Sequence, residues 1–134
     1  MAETKGTRGT QRPGLGAYEH SLTLGVAELV EGLRGLLGAQ LVAFIASAKA
    51  TSVVSKWADG SALPPATQID RLRLSYRIAA MLNERYSPPT VQTWFRGQDP
   101  ILGDEAPALL LRENRPALVR DDLVAAATSF VYDD

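Results

Sequence analysis

Lys49, Thr51, Ser52, Ser55 and Lys56 crowd two ammonium groups and three hydroxyls into one short stretch of a 134-residue chain. That chemistry suits nucleic acid. Small hydroxyls approach base edges closely, and a lysine reaches a guanine or a phosphate. Other chemistry finds little material. The chain has no cysteine and one histidine, His20, so thiolate nucleophiles and thiolate metal sites are excluded. No residue set has metal-ligand spacing. Gly14-Leu15-Gly16 has no strand before it and is not a phosphate loop. Asp121 and Asp122 are sequence neighbours and diverge by about a hundred degrees on a helix, so they are not a paired acid and base. The expectation is a binding protein without enzymatic activity, metal or cofactor.

The elements that must hold the 49–56 stretch are helices. Thr51 to Ala58 reads as a short helix with Val53, Val54 and Trp57 inward, ended by Asp59-Gly60. Gln40 to Ala46 reads as the helix before it, and residues 47–50 as a tight turn. In a helix-turn-helix the second helix is short and polar on its outer face, because that face enters the major groove. An ordinary helical hairpin in a helical core has the same pattern.

Upstream, Val26, Leu29, Val30, Leu33, Leu36 and Leu37 recur at helical spacing, with Gly38 as the stop. Gly25, Gly32 and Gly35 weaken that helix, so packing must hold it. Downstream, Thr67-Gln68-Ile69-Asp70 resembles a capping box opening a long helix to about Tyr86. Ile69, Leu72, Tyr76, Ala79 and Ala80 form its stripe. Leu74, Ile78, Met81 and Leu82 widen the stripe beyond one face, which places the helix at the centre of a core or against a partner.

Ser87-Pro88-Pro89 breaks the chain. A short helix from Thr90 to Arg96 and a turn from Gly97 to Asp104 follow. Pro107 and Pro116 stand where a first-turn proline is tolerated, and open helices to about Glu113 and about Phe130. Val119, Leu123, Ala126, Ala127 and Phe130 line the last one. Nothing alternates with period two, so the fold class is all-α. Three regions are expected: a flexible tail over 1–18, a helix-turn-helix region with a long central helix over 19–86, and a small helical domain over 87–134.

Charge is segregated along the chain. Residues 39–98 carry 7 basic and 3 acidic side chains, whereas residues 99–134 carry 3 basic and 8 acidic ones. A basic middle suits a polyanion, and an acidic end suits a basic partner; an unevenly charged solvated surface accounts for both equally well. Lys5, Arg8 and Arg12 in the tail could brush phosphates. No apolar run reaches the roughly 18 residues of a membrane span, and Met1 to Tyr18 lacks a signal-peptide core. Cytoplasmic location is expected.

Val54, Trp57, Gly60 and Pro64 match the Val-x-x-Trp-x-x-Gly pattern and loop proline that close the recognition helix of the Xre-type helix-turn-helix family, which the chain resembles here. Two registers are open upstream. Ala43 and Ser47 supply the family's small residue and turn glycine, but one place early. Phe44 and Ala48 occupy those positions in register. Lys49 stands where an apolar residue is common, and Ala50 where a hydroxyl cap is usual.

Trp94, Asp99, Pro100, Leu102, Gly103, Pro107, Leu109 and Leu110 match, in order and spacing, the C-terminal toxin-binding domain of Xre-family antitoxins of the Xre/MbcA/ParS type. With the helix-turn-helix, the resemblance spans about residues 22–132. It implies a homodimer that pairs with a RES-domain toxin, an NAD⁺-consuming enzyme, and that represses its own operator. It also implies that Phe130, Val131, Tyr132, Asp133 and Asp134 enter the toxin's NAD⁺ pocket. Carboxylates suit a pocket built for a pyrophosphate, and Phe130 and Tyr132 offer apolar area. Equally, Phe130 could complete the core. The other readings are a stand-alone helix-turn-helix repressor and an interaction module that has lost DNA binding. A homodimer is expected from the wide apolar stripe over 69–82 and from the two-fold that paired half-sites require.

Overall fold

Prolines and glycines set most of the helix boundaries. The computed structural model describes residues 25–132; the expected tail over 1–18, His20, Asp133 and Asp134 lie outside the described residues. Seven α-helices and a 3-10 turn make up the described part: α1 Val26–Leu37, α2 Ala39–Ile45, α3 Thr51–Ala58, α4 Ala66–Asn83, α5 Pro88–Arg96, the 3-10 turn Pro100–Leu102, α6 Pro107–Glu113 and α7 Pro116–Tyr132. The fold is all-α.

α1 begins where Glu28 Oε1 accepts the Gly25 N–H at 3.3 Å. It ends at Gly38, whose φ of 86° belongs to glycine and lets α2 start at once in a new direction. Gly32 lies inside α1 for a packing reason. A Cβ there would sit 3.1 Å from the Tyr76 ring, so its absence lets α1 and α4 approach closely. α5, α6 and α7 each carry proline in the first turn or at its start, where the missing N–H costs nothing.

α4 is the central helix. It packs on α1 along one side and on α7 along another, with α2, α5 and α6 also touching it. Leu72, Leu74, Ile78, Met81 and Leu82 are all buried by these neighbours. The wide apolar stripe is therefore covered within one chain, and it does not itself call for a second copy. The capping box is also corrected. α4 starts at Ala66 with Pro65 as the residue before it and no side-chain cap, so Thr67 is a first-turn residue and Asp70 lies beyond the first turn. The Pro64-Pro65 pair starts the helix without a hydroxyl.

The regions on either side of residue 86 share one core. Leu29, Leu33, Ile78, Leu82, Phe95, Leu111 and Leu123 are fully buried in it. Polar ties reinforce the junction: Gln92 Nε2 donates to Leu36 O at 3.1 Å, and Arg112 Nη1 to Phe44 O at 2.7 Å.

Candidate nucleic-acid and partner interfaces

The link from α2 to α3 is built on one residue in left-handed conformation. Ser47 has φ 55°. Its N–H donates to Phe44 O at 3.2 Å, and the Ala48 N–H donates to Ala43 O at 2.9 Å. This pair of bonds is the Schellman closure, usually made with glycine at the left-handed position. Of the two registers open in the sequence, the backbone takes the one with Ala43 inside and Ser47 in the glycine place. Ala43 is buried and Phe44 is 40% exposed. Lys49 and Ala50, between Ser47 and α3, are exposed. Ala50 is extended and gives α3 no side-chain cap.

α3 closes by the same device. Gly60 has φ 82°, its N–H donates to Trp57 O at 3.3 Å, and the Ser61 N–H donates to Lys56 O at 3.0 Å. Val54 and Trp57 are buried and Val53 half-buried, which fixes the helix from behind. Thr51, Ser52 and Lys56 are exposed on its other side. Lys49, in the turn before the helix, is exposed as well.

Ser55 departs from the expectation. It is half-buried, its hydroxyl donates to Thr51 O at 3.3 Å, and it accepts from Arg34 Nη1 at 3.1 Å. Its hydroxyl is thus turned toward α1 and is corrected from a base-reading group to a support. Arg34 also pairs with Glu31 at 2.6 Å. The hydrogen bonds that Asp59 accepts from Ser61, with Arg34 and Lys56 near by, hold its carboxyl below the usual value. Arg34 was not legible as part of this face, because its contact crosses 21 residues of sequence and nothing local marks it.

The basic surplus of the middle region is partly used inside the molecule. Arg71 donates to Leu111 O, to Asn114 O at 2.8 Å and to Gln68 Oε1 at 2.6 Å. Burial pulls its guanidinium below the ordinary value, though an arginine stays charged. Arg85 Nη1 donates to Val131 O at 2.6 Å. These two cations satisfy the ends of α6 and α7, where carbonyls lack helical partners.

The turn after α5 is organised by Asp99. One carboxylate oxygen accepts the Ile101 N–H at 2.9 Å and the other accepts Trp94 Nε1–H at 3.2 Å. Its carbonyl accepts from Leu102 and Asp104, both at 2.9 Å. Gly103 and Asp104 both have positive φ, 67° and 65°. The residues that carry the C-terminal resemblance therefore form scaffold.

At the end of α7, Phe130 and Val131 are core rather than free tail. The Phe130 ring lies 5.0 Å from Tyr86 and 6.5 Å from Trp94 between centroids, and Val131 is buried. Tyr86 Oη donates to Phe130 O at 3.2 Å. Tyr132 differs: it is 56% exposed. Of the five residues expected to reach a partner, the structure gives Tyr132 an accessible side chain, while Asp133 and Asp134 lie outside the described residues. Among the described residues there is no acidic or histidine cluster able to hold a metal and no helix long and apolar enough to cross a membrane. No protein-family model, curated protein or solved structure matches the chain.

Proposed function

We propose that this chain is an antitoxin of the Xre type, which binds operator DNA through α3 and neutralises a RES-type, NAD⁺-consuming toxin through the end of α7. One observation carries the DNA half of this reading. The left-handed Ser47 and buried Val54 and Trp57 hold α3 so that Lys49, Thr51, Ser52 and Lys56 are presented outward. Gel shifts on the chain's own promoter region test it. Lys56→Ala should weaken binding and lower the salt slope by about 0.9, the share of one phosphate contact. Unchanged affinity and slope would remove α3 as the reading head.

The toxin half rests on the resemblance and on the exposure of Tyr132. Since Phe130 and Val131 serve the core, the proposed occluding segment begins at Tyr132. A chain ending at Val131 should stay folded and still shift DNA, yet fail to rescue growth on co-expression with the toxin. Full rescue by that truncated chain would exclude occlusion by the tail. The two-fold needed for paired half-sites would form on faces other than the α4 stripe.

A second reading, an interaction module without DNA binding, is favoured by the engaged Ser55 and by Glu31 and Asp59 close to the polar face, which dilute its positive charge. Under it, no promoter fragment shifts at any salt concentration, while rescue persists.

A further inference from the structure

A cleft of about 420 Å³ opens between α2, the end of α5 and the start of α6. That volume falls within the roughly 300–1,000 Å³ of small-molecule sites. Its walls are Leu41, Phe44, Ala106, Ala108 and Leu109, with Arg96 among the lining residues. Phe44 is fixed in place: Arg112 donates to its carbonyl and lies 4.7 Å from its ring centroid. The cleft is thus a rigid apolar surface on that side.

Arg96 sets the chemistry. Arg71, Arg85 and Arg112 are each engaged with carbonyls of the chain. Arg96 makes no hydrogen bond or ion pair among the described residues, and Gln40, also lining the cleft, makes none either. A guanidinium beside apolar walls selects a carboxylate with an apolar body, since it gains a charge-assisted bond only from the anion. A cation would be repelled by Arg96, and a strongly polar ligand would lose hydration against Leu41 and Leu109 without recompense.

We infer that this cleft is a binding site for a small amphipathic carboxylate, with its carboxylate on Arg96 and its apolar body against Phe44, Ala108 and Leu109. The site joins α2, which leads into α3, to α5 and α6, so ligand there touches both halves of the molecule. This inference stands on the cleft alone and does not depend on toxin or DNA binding.

Octanoate and octanol are suitable probes, because they share a chain and differ in charge. Titration of the full chain, followed by methyl resonances of Leu41, Ala108 and Leu109, should saturate with octanoate below about 10 mM. Octanol should bind roughly ten-fold more weakly, as expected for loss of one charge-assisted bond. Arg96→Gln, at an exposed position, should bring octanoate down to the octanol level. Ala106→Trp, which fills the cleft from an extended residue, should abolish both. Linear or scattered shifts, equal binding of the two probes, an unaffected Arg96→Gln protein or an unaffected Ala106→Trp protein would each overturn the proposal.

Discussion

Ser47 shows how much one residue decides in this chain. Left-handed backbone costs a residue with a Cβ about 1–2 kcal/mol, and glycine is relieved of that at some entropic cost of its own. Ser47 carries φ 55° with an exposed side chain, so nothing is lost by removing it. Ser47→Gly should raise stability by about 0.5–1 kcal/mol, read as a higher midpoint in urea at unchanged slope. A lower midpoint would mean that the hydroxyl, not the backbone, holds the turn. Asp59 makes a second statement at this scale. Its carboxyl is held below its ordinary value of 3.8 by hydrogen bonds from Ser61, then by Arg34 and Lys56. A depressed folded value means stability that is fully present above the unfolded value and lost as pH falls through the folded one. Asp59→Asn should therefore lie below the parent protein at about pH 6 and approach it at about pH 3. A constant gap across that window would place the effect elsewhere. The exposed hydroxyls and lysine of α3, and Lys49 just before it, were legible from type and spacing. The engagement of Ser55 was not, since Arg34 reaches it from a different helix.

Elements were legible where a local signal ends them. Gly38, Gly60 and the proline starts of α6 and α7 put those boundaries within a residue or two of expectation, because φ restriction acts within the residue itself. Pro88-Pro89, expected to break the chain before a helix from Thr90, instead opens the first turn of α5. The start of α4 differs from expectation: Thr67 and Asp70 have the composition of a capping box, yet the helix begins at Ala66, directly after Pro65 and before either could cap it. What closes α6 and α7 could not be read locally at all. Arg71 on α4 serves carbonyls 40 and 43 residues away, and Arg85 serves one 46 residues away. Arg71→Met keeps much of the apolar stem and removes the donors, leaving part-buried carbonyls at the end of α6 unsatisfied. It should cost about 2–3 kcal/mol, and Arg71→Lys should recover only a fraction, since one ammonium cannot reproduce the guanidinium fork. Amide exchange should quicken first in α6 and at the start of α7. A loss below about 0.5 kcal/mol would show that water replaces the guanidinium there.

Across the whole molecule, the sequence suggested a boundary at 86–87, because Ser87-Pro88-Pro89 breaks the chain there. Composition marks a change of helix but carries no information on whether the two sides share a core. They do: α5 and α7 enclose the same apolar interior as α1 and α4. The wide stripe of α4 was legible as buried surface, while its covering came from the chain's own later helices. The two tryptophans make the resulting cooperativity measurable, since Trp57 lies in α3 and Trp94 in α5. In Trp94→Phe protein the fluorescence reports α3, and in Trp57→Phe protein it reports α5. If the core is shared, the fluorescence midpoint of each variant coincides with its own helical circular-dichroism midpoint. Leu123 on α7 is fully buried, so Leu123→Ala should cost about 2–5 kcal/mol. The decisive comparison is Leu123→Ala in the Trp94→Phe background. The loss should reach Trp57 undiminished, although Trp57 lies in the region before residue 86. A midpoint at Trp57 that ignores Leu123→Ala, with a second transition in the dichroism, would instead mean two independently folding units meeting at α4.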